Sequence, residues 1–340
     1  MAAMFLYQGE QISACHLSGI EVIFYEAVII PTKNSPLPRQ PVFSIHPQGE
    51  SMALEAWGMT IAGLAALIAG LVFAGVRFKA AAGACRVIVL GPVFEAIALA
   101  MFAAEHFFAA RDLMGIVPRW LPWPLFWTYF FGAALLAAAI SFIVWRGVRW
   151  SAPLLALFFL LIVVTMDLPS LPQNLHQRLF WTLTVRETAF AAGAIVLTGS
   201  VLRAGRLGQA LVWIGRVVLA PILVFYAVQH MLFPRFVPGV PLDKLTPAWV
   251  PAPTLLAYAV GIILLGAGIG LLFPSAARRS AAVAGGALVL LTAFFYVPIL
   301  CTEIGTPLVI EGLNYVGDTS LFAATILLAG MSAGSVTPEY

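Results

Sequence analysis

Charge is what this chain has least of. Asp, Glu, Lys and Arg together make up 10% of its 340 residues, against about 25% in ordinary soluble domains. Hydrophobic residues make up 61%, far more apolar surface than a soluble interior of this length hides. The formal net charge of +3 is small. That excludes the basic footprint of a nucleic-acid-binding protein, since such a footprint needs Lys and Arg massed on one face. Cysteine is scarce as well. Cys15, Cys85 and Cys301 lie far apart and make no Cys-x-x-Cys, which argues against a disulfide framework, a thiol-redox motif and a cysteine metal site. Also absent are a P-loop, a dinucleotide-binding glycine motif, a Gly-x-Ser-x-Gly elbow and a His-Glu-x-x-His pair. No residue is therefore assigned a catalytic role, no metal site is expected, and no motif announces a cofactor.

Long apolar runs are what the chain does have. Nine are of spanning length, about 17–25 residues: approximately 54–76, 87–110, 125–145, 151–167, 180–202, 209–233, 254–274, 281–301 and 318–335. The expected fold is an all-α polytopic membrane bundle with membrane lipids as its surroundings. Orientation follows from the basic residues. The loops after the first, third, fifth and seventh runs carry Arg77/Lys79/Arg86, Arg146/Arg149, Arg203/Arg206 and Arg278/Arg279, with no acid among them. The positive-inside rule places those loops in the cytoplasm, with the N-terminus outside and the C-terminus inside.

Proline and tryptophan reveal a second layer of order. Pro118-Arg-Trp120-Leu-Pro122-Trp-Pro124 returns 129 residues later as Pro247-Ala-Trp249-Val-Pro251-Ala-Pro253. The same offset relates Tyr129 to Tyr258, Gly132 to Gly261, Arg149 to Arg278, Ser151 to Ser280 and Pro169 to Pro298. Each proline-rich segment follows a run ending in histidine, Glu105-His106 and Gln229-His230. The reading is a tandem duplication, with residues 81–205 as one four-helix unit and 206–340 as the other. An even number of spans preserves orientation, so the units form a parallel repeat. Residues 52–80 are an extra first span. Residues 1–51, rich in proline, are expected to be a disordered extension. Met52 directly precedes the first run and would serve as a start.

A helix ending in His-Phe, a Pro-x-Trp-x-Pro loop, a helix opening with Tyr and Gly, and an Arg before the next span together resemble the DoxX-like membrane proteins. The likeness covers about residues 85–335 as two tandem units. It implies a helical bundle in the cytoplasmic membrane and an accessory role beside a membrane-associated oxidoreductase, thiosulfate–quinone chemistry included. The doubling and the added first span depart from the usual single unit.

Candidate pocket residues follow from polarity at membrane depth. Glu95 is mid-span, where an ionised acid costs roughly 2.5–3.5 kcal/mol on insertion scales, so it needs a partner, a cavity or a proton. Glu105, His106, Asp167, Arg186 and Glu187 cluster at the expected outer ends of the first unit's helices, bordered by Trp120 and Tyr129. In the second unit the matching region holds Gln229, His230, Arg235, Glu303 and Asp318, and the expected pocket there is bordered by Tyr226, Trp249 and Tyr258. Each histidine is expected to point into its own bundle near the outer surface. The tryptophans read either as an interfacial belt or as a lid gripping a quinone or a lipid headgroup. Three functions remain open: a non-catalytic membrane subunit beside a redox or envelope partner, a binder or transporter of a lipophilic small molecule or lipid, and a quinone-linked oxidoreductase.

Overall fold

The computed structural model describes residues 48–202, 205–240 and 244–334, with side chains from Met52 onward. The expected disorder of the leader therefore falls almost wholly outside the described residues, as does Arg203 of the third basic loop. Nine long helices organise what is described. They are α1 (Gln48–Ala80), α2 (Gly91–Phe108), α3 (Pro124–Val144), α4 (Val148–Ile162), α5 (Arg178–Val201), α6 (Arg206–Leu232), α7 (Pro253–Leu271), α8 (Pro274–Leu291) and α9 (Val309–Leu328). No strand occurs among the described residues beyond a single antiparallel bridge, Phe236 to Leu245. Eight of the helices are long and apolar enough to cross a membrane, the composition of a multi-pass membrane protein.

Only α9 falls short of that apolarity, and it departs from the sequence expectation. The last span was expected to start at Asp318; the helix starts at Val309 and ends at Leu328. An acid reads as a helix boundary only when it faces water. Here Glu311 pairs with Lys244, Asn314 with Glu105 and Asp318 with Arg186. Partners on neighbouring elements let polar groups sit within the helix. α9 is also the helix most enclosed by the others: nearly every residue from Ile310 to Leu328 is buried.

Why these segments are helices, and where they stop, follows from local chemistry. Pro124, Pro253 and Pro274 open α3, α7 and α8 from the first helical turn, where their missing N–H costs nothing. Trp123 and Ala252, the residues before two of these prolines, hold left-handed backbone (φ 56° and 48°). Pro169 and Pro298 have a different effect. A proline inside a helix clashes with the carbonyl four residues earlier, and both are preceded by a widened π-helical turn, Val163–Asp167 and Thr292–Tyr296. The wider turn absorbs the clash and lets each helix continue.

Packing separates two kinds of surface. Along α1, Leu54, Trp57, Ile61, Leu64, Ile68, Val72 and Val76 are exposed on one helical stripe, while Met59, Ala66 and Ala74 are buried. An outward apolar stripe suits lipid and not water. Inward, small residues let helices approach closely. A methyl group at Gly132 would sit 2.8 Å from the His106 Cβ, and one at Gly261 would sit 3.0 Å from the His230 Cβ.

Candidate functional site

Polar groups meet where the C-terminal ends of α2 and α6 face the N-terminal halves of α5 and α9. Arg186 lies eight residues into α5, about 12 Å from its start at 1.5 Å per residue, and its exposure is 0%. Its Nη1 donates to Asp318 Oδ2 at 2.6 Å, while Nε and Nη2 both donate to Glu187 Oε1 at 3.2 and 2.9 Å. The second oxygens, Glu187 Oε2 and Asp318 Oδ1, are buried without a hydrogen-bond partner. Asp167, at the end of the π-helical turn after α4, lies within electrostatic range of Arg186 and Glu187 and also leaves one oxygen unpartnered. Two carboxylates therefore hold the buried guanidinium directly, and a third buried carboxyl group, Asp167, lies within its electrostatic reach.

Two further contacts frame this centre. The Asn314 amide of α9 donates to Glu105 Oε1 of α2 at 3.1 Å. The Tyr226 hydroxyl of α6 donates to the Thr182 carbonyl of α5 at 2.8 Å, and its ring meets Phe322 of α9 edge-on. Glu105 is buried, as is Tyr226. From the sequence Asp318 is placed in the second unit's polar region with no tie to Arg186, and Asn314 is not singled out. A signal for them exists: Glu311, Asn314 and Asp318 fall at i, i+3 and i+7, a polar stripe on an otherwise apolar helix.

The two histidines differ. His230 is 2% exposed. Its Nδ1 donates to the Tyr226 carbonyl at 2.5 Å and its Nε2 accepts from the Gly239 N–H at 2.7 Å. An N–H donor on Nε2 requires that nitrogen to carry a lone pair, so the ring is neutral with its proton on Nδ1. It pins the loop after α6, where Arg178 lies over the Phe236 ring at 4.1 Å and Tyr296 donates to the Pro238 carbonyl. His106 makes the same first contact, Nδ1 to the Phe102 carbonyl at 2.7 Å, and is half-buried.

The remaining candidates are dispersed. Glu95 is fully buried in α2, and neither of its oxygens has a partner among the described residues. Gln229 is half-buried with Oε1 unpartnered. Trp120, Trp249, Tyr129 and Tyr258 lie on the outside of the bundle, the two tryptophans 69% and 52% exposed. The structure thus brings Glu105, Asp167, Arg186, Glu187 and Tyr226 together around α9 and leaves the four loop-proximal aromatics on the periphery. No group of three or more His, Cys, Asp or Glu placed to hold a metal ion occurs among the described residues.

Comparison of the chain with protein-family models, with curated proteins and with solved structures gave no match in any of the three.

Proposed function

We propose that this chain is a nine-span membrane protein that binds or carries a small molecule at the Arg186 centre, with protons exchanging on the surrounding carboxyl groups. One observation carries the reading: a wholly buried arginine shared between Glu187 and Asp318, each of which keeps an unpartnered buried oxygen. A pair serving structure alone would match charge for charge. Here Asp167, Glu187 and Asp318 outnumber Arg186, and an unpaired buried charge costs several kcal/mol. Protons or a ligand rich in hydrogen-bond donors must make up the difference. Ionisable groups at membrane depth are rare and mark ligand or proton pathways.

The architecture proposed with this function is DoxX-like, two tandem four-helix units of one orientation after an extra first span, in a cytoplasmic membrane with the N-terminus outside. Three local features at fixed offsets support it. The π-helical turns at 163–167 and 292–296, and the left-handed residues at 123 and 252, are each 129 residues apart. Both histidines accept the same role toward the carbonyl four residues earlier. Reporter fusions test the orientation: a C-terminal fusion should be active only with a cytoplasmic enzyme.

A second reading is a non-catalytic membrane subunit beside an oxidoreductase, and it has its own observation. The contacts Arg186–Asp318 and Glu105–Asn314 tie α5 and α2 to α9, so the same groups hold the bundle together. The experiment that separates the two is an organic extract of protein purified in mild detergent, native chain against Asp318→Asn. A bound small molecule lost in the variant at unchanged abundance supports the carrier. Loss of abundance together with a co-purifying partner supports the subunit.

A further inference from the structure

The far end of α9 meets a different chemistry. A cleft of about 310 Å³ opens between α6, the start of α8 and the residues after α9, lined by Arg216, Pro274, Ser275, Arg278, Arg279 and Ser332. Three arginines line it and, among the described residues, no carboxylate does. Arg216 lies ten residues into α6 and is 8% exposed; its Nε and Nη2 donate to the Ala329 and Met331 carbonyls, both at 2.8 Å. Those two bonds hold the arginine rigidly at the cleft wall and account for part of its charge through the negative end of α9. Arg278 adds a second cation close enough to repel Arg216, and Arg279 a third. α8 begins here at Pro274, with no side chain capping its first turn, so the positive end of an 18-residue helix points the same way.

We propose that this cleft binds a phosphoryl group, carried by an anionic phospholipid headgroup or by a free phosphate. Arg216 and Arg278 are held near each other, with no acid among the described residues of the lining, and a multiply charged oxyanion relieves their mutual repulsion. Arginine forks match phosphate oxygens two at a time, Ser275 supplies a hydroxyl, and the first turn of α8 supplies backbone N–H groups. The volume lies at the small end of ligand pockets, about 300–1,000 Å³, which suits a phosphate with a glycerol or sugar attached and not an acyl chain. The site is independent of the Arg186 centre: Asp318 and Ala329 are eleven residues apart, about 16 Å along α9.

The test uses the full chain in nanodiscs of phosphatidylcholine alone. Binding of inorganic phosphate and of glycerol 3-phosphate is measured by calorimetry, and uptake of phosphatidylglycerol is measured by native mass spectrometry. The Arg278→Gln/Arg279→Gln variant is compared with Arg146→Gln/Arg149→Gln, which removes the same charge elsewhere. Both altered arginine pairs are exposed, so folding is retained, whereas Arg216→Gln removes the cap of α9 and is unsuitable alone. The expected result is saturable binding that falls at least about tenfold in the first variant, the effect of losing charge-assisted contacts, and is unchanged in the second. Retention of phosphatidylglycerol without phosphate binding identifies a headgroup site, and phosphate binding in phosphatidylcholine identifies a solute site. Absence of both, or equal loss in the two variants, overturns the proposal.

Discussion

The helices α2 and α6, paired in the proposed repeat, differ in their chemistry. α2 ends in Glu105-His106 and α6 in Gln229-His230. His230 is buried and holds two backbone partners, whereas His106 is half-buried and bonds the Phe102 carbonyl alone among the described residues. In register with Glu95 on α2 stands Leu219 on α6, also fully buried. In register with Pro92 on α2 stands Arg216 on α6. α6 has thus become the anchoring helix, gripping its outgoing loop with a histidine and the end of α9 with an arginine. α2 has kept the acids, one at its end bonded to Asn314 and one mid-helix with no partner. In the proposed repeat, then, the buried acids lie on one helix and the anchoring contacts to a loop and a helix end lie on the other.

The contact that joins the two halves gives the largest test of that division. Arg186→Gln leaves Glu187 and Asp318 buried without a cation, and breaking one side of a buried pair typically costs about 3–5 kcal/mol. The double variant Arg186→Gln/Asp318→Asn should recover part of the loss, since two amides can pair. Thermal unfolding in nanodiscs measures both. A double variant no more stable than the single one shows that the ion pair is not what the arginine is there for.

The histidines should separate next. His230→Ala strands the buried Gly239 N–H, so a loss of about 1–3 kcal/mol is expected, with faster proteolysis of the loop that follows α6. His106→Ala removes one partly exposed bond and should cost about 1 kcal/mol or less. Equal losses would erase the contrast between α2 and α6.

Glu95→Leu imposes on α2 the residue that α6 carries. Removing an unpartnered buried carboxyl should stabilise the protein by about 1–3 kcal/mol. If Glu95 takes part in proton exchange, that gain comes with loss of ligand turnover in proteoliposomes. A variant that is less stable than the native chain points to a partner for the carboxyl that the unliganded fold does not supply.

How much of this was legible in the sequence depends on how far each cause reaches. The apolar runs that became α1 to α8 were readable because apolarity over a spanning length is a local property of composition. The boundary of α9 was misplaced because its acids are tolerated only through partners far away in the chain. Lys244 pairs with Glu311 and Arg186 with Asp318, and the second pair is separated by 132 residues. The five pocket residues around α9 were singled out by their depth in apolar runs, but not the helix that collects them. Trp120 and Trp249 drew attention through their repeat, and a repeated loop residue reports on shared turn geometry whether or not it reaches a pocket.

The smallest expected effect concerns those turns. Trp123 and Ala252 precede the prolines that open α3 and α7, both in left-handed backbone, which costs an L-residue about 1–2 kcal/mol. Glycine removes that strain but adds about 0.5–1 kcal/mol of entropy to be lost on folding. Ala252→Gly should therefore stabilise the protein by about 0.5–1 kcal/mol, since the alanine methyl contributes little else. Trp123→Gly relieves the same backbone strain but also removes an indole that is 75% exposed, in position to sit at a membrane interface. It should gain less than Ala252→Gly, or lose stability. The midpoint of thermal unfolding in nanodiscs resolves the difference. An Ala252→Gly variant that unfolds earlier than the native chain shows that the turn before α7 is held by its surroundings against no strain, and the correspondence between the two proline-rich loops would then be one of sequence without a shared backbone cost.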